Sequence, residues 1–151
     1  MKELHGTASQ TVNAPIDRCY ALLVAVEDYP RWHPDVVRSA EVLERRPDGN
    51  PARAHAELHV AVGPLTKDFN LTLMIQLAPP ASVTLTRVPH DSSDQEQFRV
   101  SWTLAAAPGG GTEISLALDA NLSVPRLVPV GGIGDGLAGG FVASAARELA
   151  G

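Results

Sequence analysis

The chain has one cysteine and few aromatic residues, which make up 5% of its 151 positions. A lone cysteine cannot form an intramolecular disulfide, so the fold must rest on burial and hydrogen bonding. Cys19 falls on the apolar face of a helical pattern and reads as a small buried hydrophobe rather than a nucleophile. No basic cluster exceeds Arg45-Arg46, and 12 basic against 17 acidic side chains leave a net charge of −5. This lacks the electrostatic footprint of nucleic-acid binding, and no nucleic-acid partner is expected. No apolar run reaches the roughly 18 residues needed to span a membrane. Met1 to Gln10 lacks the apolar centre of a signal peptide. The expectation is a soluble, cytoplasmic protein with one domain over residues 1–151. No cofactor and no stable membrane insertion are expected, and the oligomeric state is left open.

The run from Val12 to Pro34 carries the most information. Thr7 to Val12 suits a strand. Asn13 is a helix-capping type, and Pro15 sits near the first helical position, where its missing N–H costs nothing. Ile16, Cys19, Tyr20, Leu23 and Val26 then recur at helical spacing. Pro30 and Pro34 are placed to end that helix and hold Trp32 in a rigid turn. Asp28 is the expected cap of the turn bearing Tyr29 and Trp32.

These residues (Ala14-Pro15, Tyr20 and Leu22-Leu23, then Asp28-Tyr29-Pro30, Trp32 and Pro34) resemble the opening of the START-like superfamily. The nearest branch is the bacterial polyketide cyclase/dehydrase and lipid-transport family, and the likeness extends over nearly the whole chain. It implies a helix-grip α+β fold: a curved antiparallel sheet around a long C-terminal helix, with two short N-terminal helices. Members of the superfamily include lipid and sterol carriers, aromatase/cyclases, quinone-binding proteins and a ribosome-associated toxin. The resemblance therefore implies a fold more sharply than a function.

After Pro34 the sequence reads as strands with turn punctuation. Val36 to Arg45 is followed by the turn Pro47-Asp48-Gly49-Asn50-Pro51. Ala54 to Val62, the Gly63-Pro64 turn and Lys67 to Leu77 come next. Pro79-Pro80 breaks the chain before Val83 to Val88. Gln97 to Ala106 and Thr112 to Leu122 flank Pro108-Gly109-Gly110-Gly111. Period-two alternation puts Phe69, Leu71, Leu73 and Ile75 on one face, with Phe98, Val100, Trp102 and Leu104, and with Ile114, Leu116 and Leu118. One face of the sheet is apolar and helices must cover it.

Near the C-terminus, Val130, Ile133, Leu137, Phe141, Ala145 and Leu149 form one apolar helical face. Gly131, Gly132, Gly134, Gly136, Gly139 and Gly140 crowd its first half, each interior glycine costing about 0.5–1 kcal/mol relative to alanine. That half is expected to be weak or displaced, and Ala143 to Leu149 to be the better helix. The glycines permit two roles, close packing against the sheet or a flexible ligand gate. The Gly134-x-Gly136-x-x-Gly139 pattern is not a dinucleotide site. It lacks the flanking strands and the acidic residue about 20 positions on.

Small inward residues leave two outcomes open, a packed core or an apolar cavity. The resemblance points to a cavity large enough for a lipid-like or aromatic ligand. Candidate ligand contacts are Tyr20, Trp32, His33, Leu73, Arg87, Trp102, Leu137 and Phe141. His33 is a candidate hydrogen-bond donor or acid/base group, or simply an exposed loop histidine. Arg87 shares parity with Val83 and Leu85. Its guanidinium either enters the cavity to bind an oxyanion, as the resemblance to aromatase/cyclases implies, or lies at the rim. No metal site is expected. His55 and His59 lie about 13 Å apart along a strand, too far to share one zinc at about 2 Å. The leading expectation is binding or transport of a small hydrophobic ligand. The alternatives are a cyclase/dehydratase, with His33 and Arg87 as its candidate catalytic residues, and a protein-interaction module of the ribosome-associated type.

Overall fold

Alternating apolar and polar residues build seven strands in the computed structural model, which describes residues 2–62, 65–122 and 132–150. They are β1 (Lys2–Val12), β2 (Val37–Arg45), β3 (Pro51–Val62), β4 (Leu65–Ala78), β5 (Ser82–Arg87), β6 (Gln97–Ala106) and β7 (Thr112–Leu122). One antiparallel sheet results, in the order β1-β7-β6-β5-β4-β3-β2. The expected strands are all present. β1 reaches back to Lys2, and β3 starts at Pro51, inside the expected turn. The Gly63-Pro64 turn, Val130 and Gly131 lie outside the described residues.

The register places the alternation as expected. Phe98, Val100, Trp102 and Leu104 pair with Ala120, Leu118, Leu116 and Ile114, and all eight are buried. Because neighbouring strands share this parity, their apolar side chains form one continuous concave surface. His55, Glu57 and His59 fall on the opposite face, where His59 Nδ1 meets Asp68 Oδ1 at 2.6 Å. Three helices cover the concave side: α1 (Ile16–Val24), α2 (Tyr29–Trp32) and α3 (Ile133–Ala150).

The N-terminal corner differs from expectation in its caps. Pro15, not Asn13, is the N-cap of α1, and Ala14 O accepts from Thr112 Oγ1 at 2.7 Å, pinning the corner to β7. α1 ends at Val24 without proline. Pro30 lies instead in the first turn of α2, where a missing N–H is free of cost. Asp28 makes no side-chain cap bond. The tie that holds this turn is the Tyr29 hydroxyl, which donates to Leu23 O at 2.6 Å.

α3 is helical from Ile133 onward, through the glycine-rich half expected to be weak or displaced. One of its glycines, Gly134, serves close packing there. A Cβ on Gly134 would lie 2.2 Å from His5 O, and one on Gly6 would lie 2.0 Å from Gly134 O. Two glycines facing one another let the helix backbone rest on β1. The Asp135 carboxylate accepts from Thr7 N at 3.1 Å and locks the contact. Tertiary docking thus outweighs poor helix propensity. Among the described residues, no helix is long and apolar enough to cross a membrane.

Candidate functional site

Between the concave face and the helices lie two small apolar chambers. The first is walled by Val26 and Tyr29, by Val37, Ala40, Ala54 and Ala56, by Leu73, Leu85 and Val100, and by Phe141 of α3. The second is walled by Leu4, Val60, Phe69, Leu71, Leu118, Ala120, Leu122, Ile133 and Leu137. Leu58 and Phe98 belong to both walls. The chambers have volumes of about 40 Å³ and 20 Å³. A water needs about 10–15 Å³ on this measure, so they hold about three waters and one water. This is smaller than the lipid-sized cavity expected. The leucines of β3, β4 and β5 and the rings of Phe98 and Phe141 occupy the space that the alanines leave.

The candidate residues divide into groups. Leu73 and Phe141 line the first chamber, and Leu137 lines the second. Trp32, His33 and Trp102 stand behind the wall. His33 lies 4.5 Å from the Phe141 ring and 6.2 Å from Trp32, while Trp102 meets Phe141 edge-on at 6.4 Å. Tyr20 is elsewhere, bordering a surface groove between α1 and the β2–β3 turn. Arg87 has the inward parity expected but not a free charge. Its guanidinium donates to both Asp94 carboxylate oxygens, at 3.0 and 2.7 Å, and to Glu96 O at 2.9 Å. The Arg87 partnership holds the Asp94 carboxyl far below the usual carboxylate range. The pair closes the end of the sheet beside a polar groove that shares Phe69, Leu71 and Leu122 with the second chamber.

His33 is buried, 5% exposed, rather than an exposed loop residue. Its Nδ1 is 2.6 Å from Ser144 Oγ, and that oxygen also accepts from Arg147 Nη2 at 3.0 Å. Nε2 is buried with no partner. Burial lowers the His33 pKa, with Arg147 adding to the effect and Asp35 opposing it. The sequence offered no sign of Ser144, because the bond spans 111 positions. Ala54, Ala56 and Phe98 are legible by alternation as inward residues but not as a shared wall, and Ala40 follows a register shift in β2 that alternation does not show. Asp94 lies in the loop between β5 and β6, where alternation carries no signal.

A depressed histidine pKa has a stability consequence. The folded chain keeps His33 neutral where the unfolded chain protonates it, so stability is full above the ordinary value of 6.5 and falls as pH drops toward the lower folded pKa. Urea melts of the wild type and His33→Gln from about pH 7.5 to about pH 5 should therefore diverge. The wild type should lose more stability on acidification, because His5, raised by Asp119 and Glu3, contributes equally to both proteins. Parallel loss would show that His33 titrates normally.

A sheet gripping a C-terminal helix around an apolar interior defines the START-like class of domains. Residues 12–144 match the family described as polyketide cyclase / dehydrase and lipid transport, and the chain belongs to that family. A START superfamily protein from Mycobacterium smegmatis has a similar structure, with a TM-score of 0.79 at 13% identity over 97% of each chain. A protein from Thermus thermophilus superposes with a TM-score of 0.71 at 17% identity, again over 97% of each chain. The di-domain ARO/CYC StfQ from the steffimycin biosynthetic pathway gives a TM-score of 0.64 at 13% identity. That match covers 98% of this chain and 51% of StfQ. No curated protein matches the chain.

Proposed function

We propose that the protein binds and carries a small hydrophobic molecule, lipid-like or aromatic, between the sheet and α3. One observation carries this reading: the wall of the first chamber is apolar throughout, and Ala40, Ala54 and Ala56 are its small residues. Such a wall recovers about 25 cal/mol for each Å² of apolar ligand surface that it removes from water. The resting volume is small, so the ligand enters by displacing side chains, with Phe98 and Phe141 the rings that border the space. Leu73, Leu137 and Phe141 are the apolar contacts in this reading. His33, Trp32 and Trp102 supply polar atoms behind Phe141, and Arg87 supplies charge at the sheet end if a ligand oxyanion displaces Asp94.

The neutral fluorophore N-phenylnaphthylamine tests the reading. Saturable, single-site binding with a blue-shifted emission is expected, together with an apolar small molecule retained in native mass spectra of protein purified from its source. Absence of both would remove carriage from consideration. A second reading, a cyclase-type reaction on a polyketide-like molecule, is favoured by the neutral, half-engaged imidazole of His33. It draws also on the similarity to StfQ. Under it, His33→Ala would abolish turnover of the retained molecule while changing probe affinity less than about threefold.

A further inference from the structure

Leu58 and Phe98 are the two residues common to the walls of both chambers, and their positions suit a partition. Along β3, Val60 faces the second chamber, Ala56 and Ala54 face the first, and Leu58 stands between them. Along β6, Val100 faces the first chamber, and Phe98 borders both. The facing helix repeats the division. Ile133 and Leu137 serve the second chamber and Phe141 the first, with about 6 Å between Leu137 and Phe141 along the axis. The interior is therefore one long apolar slot crossed at one level by a leucine and a phenyl ring.

We propose that Phe98, braced by Leu58, determines the length of molecule this protein accepts by closing one chamber off from the other. The proposal rests on the carriage reading and sharpens it. Phe98 is 8% exposed and also borders a surface groove with Arg87, Glu96 and Ala120. Its ring lines both chambers on the concave side, among the apolar side chains of their walls. A short ligand needs only one chamber to widen on its own side of the ring. A long one must push it aside and gives up the contacts the ring makes. Removing the ring joins the chambers, and each further methylene then buried is worth about 0.8 kcal/mol, a factor of about four in affinity.

Hexanol, decanol and tetradecanol, each displacing N-phenylnaphthylamine, measure this directly. In the wild type, affinity should stop rising between hexanol and tetradecanol. In Phe98→Ala it should keep rising, so that the tetradecanol-to-hexanol affinity ratio grows at least tenfold. Phe98→Leu keeps more of the packing and should give an intermediate ratio, so a poorly folding alanine variant does not end the test. If the wild type binds the alcohols and neither variant alters the ratio, the partition is overturned and carriage stands. Failure of every variant and the wild type to bind probe or alcohol would overturn both readings together.

Discussion

Gly134→Ala will destabilise this domain by about 3 kcal/mol, although alanine is the better helix former. The added methyl would lie 2.2 Å from His5 O, 2.5 Å from His5 C and 3.0 Å from Gly6 N. All three are backbone atoms of β1, so no side-chain rotation relieves the clash. α3 must lift off the strand, and the Asp135 bond to Thr7 N loosens with it. Overpacking alone costs about 1–3 kcal/mol and more against rigid neighbours, and the gain in helix propensity returns only about 1 kcal/mol. For a chain of this length the midpoint should fall by about 6–12 °C. Gly139→Ala on the same helix is the control. A Cβ there meets nothing within 4 Å, so that variant should gain about 0.5–1 kcal/mol. Thermal or urea melts of the two variants must move in opposite directions. Equal shifts would mean that the Gly6–Gly134 contact does not hold the helix.

Ala54→Leu should lower N-phenylnaphthylamine affinity at least tenfold, about 1.4 kcal/mol, without lowering stability. Ala54 is 2% exposed and lines the first chamber opposite α3. An isopropyl group there projects into a void of about 40 Å³ and occupies space a ligand needs. Because the void is lined by apolar side chains, filling it restores dispersion contacts that the lining residues lack. Binding and stability should therefore separate. His55→Leu provides the parity control: one position along, its side chain points to the other face of the sheet. That variant should keep wild-type probe affinity. An Ala54→Leu protein that melts normally and binds the probe as the wild type does would place the site outside this cavity.

The fold was legible because it follows from local, periodic signals. Phe69, Leu71, Leu73 and Ile75 alternate with polar residues, and any antiparallel neighbour with the same parity must share their face. The apolar spacing after Pro15 likewise announces α1, whereas the second short helix is implied only by the family resemblance, and Pro30 starts it rather than ending the first. The glycine-rich first half of α3 reads poorly as helix because propensity is a property of the isolated segment. Gly6, a lone glycine in a strand, was the available signal of a close backbone approach, but its partner lies at Gly134.

The site was less legible, because its chemistry consists of pairs distant in the chain. Arg87 could be placed on the inward face by counting. Its neutralisation by Asp94 depends on how the following loop folds back, and alternation does not encode a loop. His33 stands out in the sequence for its position next to Trp32. Its burial and its bond to Ser144 arise only when α3 docks against α2, where Arg31 also pairs with Glu148. The sequence by itself determined which residues face inward, the order of elements and the family, since binary pattern and local turn chemistry act over a few residues. Only the tertiary structure decided how much empty space those inward residues leave, where Phe98 divides it and which polar groups remain unengaged. Those are differences between packed volumes and between paired and unpaired atoms, and they exist only once distant segments meet.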